Sequence, residues 1–290
     1  MKSRLPDLAL WAVAIIWGGT FLVTRIALGA GAGPFFFVGL RFGAAALVTA
    51  LILRGRLMGL TRREMGAALA IGLPMAAGYL LQTGGLQSVP SSMSAFLTAL
   101  YVPLVPLIQW IALKRAPQTM SWIGIAIAFA GLVVIAHPTG AAFRFGAGEW
   151  MTLASAVAFS GEIILIGRYA EHIDAARVAL IDLALVSIAG FVAMPIAGES
   201  LPAFSPLILG CAIGLGGASA FIQVAMNWAQ RSVSPTRATL IYASEPALAG
   251  LLGRIAGERL GASGWVGALL ILAGVIVGEL KPRRWHHAKG

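Results

Sequence analysis

Cysteine is almost absent: the 290 residues hold one, Cys211. An intrachain disulfide is excluded, and so is a metal site built on thiolates. Histidine is nearly as scarce, with four in the chain. His137 and His172 fall at the ends of apolar runs and His286 and His287 in a basic tail, so no imidazole is placed to serve as a buried metal ligand or general base. Charge is short as well: 11% of the residues are Asp, Glu, Lys or Arg, 59% are hydrophobic, and the mean hydropathy is +0.87. A soluble domain needs about a quarter charged residues to cover its surface, so a soluble fold is excluded. There is also no G-x-x-x-x-G-K-[ST] stretch, and neither ATP hydrolysis nor any cofactor is expected.

What the chain does have is apolar runs about 20 residues long, enough to cross a hydrocarbon core of ~30 Å as helices. They lack the two-residue alternation of barrel strands. The fold class is therefore all-α integral membrane, with ten transmembrane helices predicted near 7–28, 34–53, 64–86, 91–113, 119–137, 148–168, 176–196, 205–229, 235–255 and 263–280. The opening MKSRLPDLAL resembles a signal peptide, but its apolar run continues to about Leu28, which predicts a retained first helix. A net charge of +10 could point to nucleic acid. The basic residues instead sit in short clusters between runs, where sixteen of the 21 share one face if the N-terminus is inside. Both termini are expected in the cytoplasm, with the lipid bilayer and a small solute as partners, no nucleic acid, and a monomeric chain.

Shifting the sequence by 143 residues against itself pairs Gly18 with Gly161, Arg25 with Arg168, Gln87 with Gln230, Pro103 with Pro246 and Trp122 with Trp265. The chain is expected to be two repeats, 1–143 and 144–290, forming one membrane domain. Five helices each is an odd number, so the second repeat must enter the membrane inverted. Pro103 and Pro246 then interrupt equivalent helices. Such interruptions are tolerated only beside a cavity or buried protein, and they point to a transporter's central site.

The stretches WGGTFLVTRIAL, GLRFGAAAL, GLQSVPSSMSAFLTALYVPLVPLI and AQRSVSPTRATLIYASEPALAGLLGRIAGERL, with the helix endings GLVVIA and GVIVGEL, resemble the drug/metabolite transporter superfamily. The branch is similar to the EamA-type exporters, and within it to YddG-type exporters of aromatic amino acids and methyl viologen-like compounds. The resemblance implies a secondary transporter in a bacterial inner membrane that exports amino acids by alternating access. Export of other hydrophobic or cationic metabolites and drugs is the alternative. One departure stands out: Val102 precedes the first proline where Glu245 precedes the second.

Glu245, about ten residues into its run, is a costly group at the membrane midplane unless it meets water, a cation or a proton. Glu162 reads the same way, while Asp182 is expected to anchor a helix end. Trp17, Tyr79, Tyr101, Phe159, Trp228 and Tyr242 lie deep enough to line a cavity for flat or cationic solutes. Trp11, Trp110, Trp122, Trp150 and Trp265 lie near helix ends, where indoles settle at the headgroups. The amides Gln82, Gln223 and Asn227 could bind substrate or bridge helices. Arg41 could hold a carboxylate, but its side chain is long enough to snorkel outward, and that is the expectation. Gly210 and Gly214, at GxxxG spacing, are expected to be close-packing positions or sliding surfaces. Pro103 and Pro246 are the expected hinges. An intramembrane serine protease is the reading from another class, since GASA (217–220) and GASG (261–264) resemble a nucleophile motif. Ser219 or Ser263 would need a later buried histidine, and none is available.

Overall fold

The computed structural model describes residues 4–54, 59–114, 119–136, 145–259 and 261–278. The termini, the boundary expected at 143/144, and His137, His286 and His287 lie outside the described residues. Twelve α-helices follow one another: α1 Leu5–Gly29, α2 Pro34–Leu53, α3 Arg62–Gly85, α4 Ser91–Thr98, α5 Tyr101–Leu113, α6 Thr119–Ala136, α7 Ala147–Tyr169, α8 Ala175–Ile196, α9 Pro206–Ala229, α10 Pro235–Tyr242, α11 Glu245–Ile255 and α12 Ala262–Gly278. No strand occurs among the described residues. Among the described residues seven helical segments are long and apolar enough to cross a membrane, one of them, Ser91–Ala112, running through both α4 and α5.

Local chemistry sets the helix ends. Thr61 and Glu64 form a reciprocal cap at the start of α3: the Glu64 amide donates to Thr61 Oγ1 at 3.1 Å and the Thr61 amide to Glu64 Oε2 at 2.9 Å. Asp174 caps α8 by accepting from the amides of Ala176 and Arg177. Pro6 and Pro206 lie in the first turns of α1 and α9, where a missing N–H costs nothing.

The interrupted helices expected over 91–113 and 235–255 are each two helices in the structure, broken one turn before the proline. α4 stops at Thr98 and α5 starts at Tyr101; α10 stops at Tyr242 and α11 starts at Glu245. The cause is steric. A proline ring clashes with the carbonyl four residues before it, which is Ala99 for Pro103 and Tyr242 for Pro246. The chain tightens there instead, with the Val102 amide donating to the Ala99 carbonyl at 3.0 Å and the Ser244 amide to the Ile241 carbonyl at 3.3 Å. Both prolines thus sit in the first turn of the second helix rather than in the middle of one.

The bundle is held by close helix seams. α2 packs on α8 and α9, α3 on α7 and α8, α1 on α9 and α11, and α6 on α12. A Cβ added at Gly190 on α8 would come within 2.9 Å of Gly39 Cα on α2. One at Gly18 would meet Leu248 Cβ at 2.7 Å and the Glu245 carbonyl at 3.2 Å, so α1 lies directly against the start of α11. Gly210 and Gly214 do not serve as packing positions within this chain: nothing lies within 4 Å of a Cβ placed there. The close approach on α9 falls instead at Gly216, whose Cβ would stand 3.0 Å from the Arg41 carbonyl.

Candidate functional site

The two breaks meet. Tyr101 opens α5 and Glu245 opens α11, and the Tyr101 hydroxyl donates to Glu245 Oε2 at 3.1 Å. Glu245 is 4% exposed, and no Lys, Arg or His among the described residues lies within 4.0 Å of its carboxylate. Its offset comes from position: a carboxylate at a helix N-terminus sits against the unpaired amides and positive dipole end of that helix. Val102, the counterpart of Glu245 in the repeat, is apolar and buried, so only the second broken helix contributes an acid at this point.

Around that bond lies a cavity lined by Trp17, Thr20 and Phe21 of α1, Tyr79 and Gln82 of α3, Thr98 and Tyr101 at the first break, Phe159, Glu162 and Ile163 of α7, and Glu245. The space between atoms there, including any that opens to solvent, is about 350 Å³, and only about 20 Å³ can hold the centre of a water molecule. That is room for little more than one water, so a solute as large as an amino acid enters only if the walls part. The walls are linked to one another. Trp17 Nε1 donates to the Tyr79 hydroxyl at 3.3 Å, and Gln82 Nε2 donates to Thr98 Oγ1 at 3.3 Å. Tyr79 packs edge-on to Phe159, with ring centres 5.1 Å apart.

Seven of the residues singled out in the sequence therefore converge: Trp17, Tyr79, Gln82, Tyr101, Phe159, Glu162 and Glu245. Tyr242 is fully buried and lies edge-on to Trp17 at 5.0 Å, behind the wall. Gln223 and Asn227 are not on the wall either. Gln223 Nε2 donates to Asp182 Oδ2 at 3.2 Å, and Asn227 Nδ2 donates to the Gln223 carbonyl at 3.0 Å. Asp182 thus belongs to a buried polar layer rather than anchoring a helix end. Trp228 is 41% exposed and points away from the interior. Arg41 does not snorkel: it is 3% exposed and its Nε donates to Ser219 Oγ at 3.0 Å. That bond commits Ser219 to a guanidinium, the wrong partner for a nucleophile. Thr20, Phe21, Thr98 and Ile163 are wall residues that the sequence did not mark. Among the described residues no three His, Cys, Asp or Glu side chains converge as metal ligands.

At the end of the bundle where α3 and α11 finish, carboxylates close the structure. Gly257, at φ +88°, turns the chain after α11 and delivers Glu258 to the start of α4. There Glu258 Oε1 accepts from the Ser91 amide at 2.9 Å and hydroxyl at 2.6 Å, and Oε2 from the Ser92 amide at 3.0 Å and hydroxyl at 2.5 Å. Gly198, at φ +71°, does the same for Glu199, which accepts from the Phe35 and Phe36 amides at 3.0 and 2.9 Å. Arg25 adds donations to the Leu86 and Val89 carbonyls of the loop before α4. Partial burial opposes ionisation of Glu258, but the bonds from Ser91 and Ser92 outweigh it and hold the carboxyl below its ordinary range. A depressed value means that the clasp is complete above the usual carboxylate range and is lost only as pH falls through the lowered value. Closure at this end should accordingly be unchanged from neutral pH down through the usual carboxylate range and open only below that range. Glu258→Gln should open it at every pH. Labelling of Thr20→Cys in a Cys211→Ser background, by an impermeant thiol reagent applied from the Glu258 side, measures this; equal labelling with and without Glu258→Gln would refute it.

A helical bundle around a cavity walled by two broken helices now has relatives to be set beside. The EamA-like transporter family matches the chain twice, over residues 4–137 and 146–278. The chain belongs to the EamA-like transporter family. This EamA-family chain is 29% identical over 286 residues to an uncharacterized transporter of Archaeoglobus fulgidus, covering 97% of this chain and 88% of that one. It is 32% identical over 287 residues to the uncharacterized inner membrane transporter YedA of Escherichia coli K12, covering 93% and 89%. A solved crystal structure superposes with a TM-score of 0.74 at 19% identity, covering 99% of this chain and all of that one, which places the fold alone. The EamA-family chain is thus a multi-pass membrane transporter of the drug/metabolite transporter superfamily, and its family is one of transporters rather than enzymes.

Proposed function

We propose that this transporter exports amino acids, aromatic ones among them, by alternating access around the cavity at the two helix breaks. The observation that carries the reading is the Tyr101–Glu245 hydrogen bond, which ties one broken helix to the other at the wall of an aromatic-lined space. A buried carboxylate with no cationic side chain beside it favours a solute with an ammonium group, and Trp17, Tyr79, Tyr101 and Phe159 favour one with a flat apolar part. The earlier resemblance to YddG-type exporters supports the same class, as it supports a bacterial inner membrane. Pro103 and Pro246 are proposed as the hinges, each opening the second half of its broken helix. Ten membrane helices in two inverted halves, 1–143 and 144–290, with both termini in the cytoplasm, complete the proposal; the clasps of Glu199 and Glu258 then face outward. A monomer suffices, because one chain supplies every wall of the cavity.

Two experiments test it. Proteoliposomes should take up radiolabelled phenylalanine and tryptophan faster than glutamate or lysine, and repeating the uptake with an imposed pH gradient shows whether protons drive it. Uptake no faster than in empty liposomes for every amino acid would sink the reading. For the topology, a cysteine at Arg63 in a Cys211→Ser background should resist an impermeant reagent added to intact cells, and one at Ser200 should react. The reverse pattern would turn the arrangement over.

A further inference from the structure

Arg41 is a buried cation without an anion. It stands on α2 facing α3 and α9, with 3% of its surface exposed. Its Nε donates to Ser219 Oγ at 3.0 Å, while Nη2 is buried with no partner. No carboxylate among the described residues lies within 4.0 Å of it. Its faces are satisfied, because the guanidinium carbon lies 5.0 Å from the centre of the Phe42 ring and 5.3 Å from that of Tyr79. The N–H donors of Nη2 are not. A guanidinium has five N–H donors in a rigid fork that matches a carboxylate, and leaving a charged donor dry and unpaired is among the costlier features a protein interior can keep. Helix packing does not require it, since α2 and α9 already meet through Gly216.

What lies beside Arg41 supplies the reason. Tyr79, whose ring covers the guanidinium, is also a wall of the cavity and is held there by the bond from Trp17. The charged side chains that line that cavity, Glu162 and Glu245, are both acidic. We propose that Arg41 is the carboxylate-binding group of the transport site, reached when Tyr79 swings aside, so that the protein selects zwitterions with the ammonium toward Glu245 and the carboxylate on Arg41. This rests on the export reading above and sharpens it, for it excludes simple cations and amines as preferred solutes. The tight cavity of this structure is then the state in which Tyr79 still covers Arg41.

The experiment compares phenylalanine with phenethylamine, which lacks only the carboxylate, and phenylacetate, which lacks the ammonium. In proteoliposomes the wild type should carry phenylalanine at least about tenfold better than phenethylamine, the factor expected of one charge-assisted pair. Arg41→Met should bring that ratio close to one, and Arg41→Lys, which keeps the charge but not the fork, should restore part of it. In detergent, phenylacetate should raise the melting temperature of the wild type and not of Arg41→Met, whose elution as a single species reports intact folding. Stabilisation by phenylacetate without uptake of any amino acid would leave the anion site standing and sink the export reading. Uptake of phenylalanine with a ratio that Arg41→Met does not change would leave export standing and overturn the role of Arg41. A wild type that neither moves phenylalanine nor responds to phenylacetate overturns both.

Discussion

Glu245→Gln is expected to lower phenylalanine uptake in proteoliposomes by about a hundredfold, the upper end for a charged hydrogen bond lost in a dry site. The carboxylate is buried and touched by one donor, Tyr101, which leaves it able to accept from an ammonium group; Glu162, the other acid of the cavity, stands on α7 rather than at a break. Glutamine keeps the volume and can still accept from Tyr101, which separates loss of charge from loss of shape. Tyr101→Phe, which removes the donor and keeps the charge, should cost less, about tenfold, the lower end for a hydrogen bond to a charged group. If Glu245→Gln transports at the wild-type rate, the carboxylate is a structural partner of Tyr101 and the solute's ammonium is held elsewhere.

The second large effect concerns the breaks. Pro103→Ala and Pro246→Ala should each slow transport about tenfold or more. Alanine restores the amide and removes the ring that keeps each pair of helices apart, so α4 can join α5, or α10 join α11, into one helix. Because the two halves are proposed to be inverted, straightening one should favour a cavity open to one side and straightening the other the opposite side. Labelling of single cysteines at Thr20, toward the Glu258 end, and at Gln109, toward the other, reads the bias. A shift in the same direction for both variants, or no shift, would mean that the breaks are fixed kinks.

Much of the cavity could be read from the sequence because its residues are expensive where they stand. A glutamate at 162 or 245, a tyrosine at 79 or 101 and a tryptophan at 17 all carry polar atoms deep in apolar runs, and depth alone marks them. Angular position is harder. These helices are apolar on nearly every side, so no polar face tells which way Tyr242, Gln223 or Trp228 turns; one lies behind the wall, one joins a buried layer with Asp182, and one faces outward. Thr20 and Thr98 escaped notice because a hydroxyl in such a helix normally satisfies itself on its own backbone. The break positions came out a turn early for a related reason: the proline is visible in the sequence, while the carbonyl it displaces lies four residues before it. Glu199 and Glu258 were not singled out in the sequence, and only the folded bundle brings them to the starts of α2 and α4. A glycine directly before each, after a helix, was the available signal.

The broken helices are fastened by different materials at the two ends of the bundle. Where α3 and α11 finish, carboxylates grip backbone amides and hydroxyls that are partly withdrawn from water. At the other end α10 is fastened to α1 by the Arg237–Asp7 ion pair, with side chains 61% and 25% exposed, and to α5 by a Thr236–Gln109 contact. Dissolved ions screen an exposed pair and leave short-range bonds to amides nearly untouched. Ionic strength is therefore a vectorial variable for this protein: raising it loosens one doorway and spares the other, and inward and outward fluxes measured across a salt series need not change together.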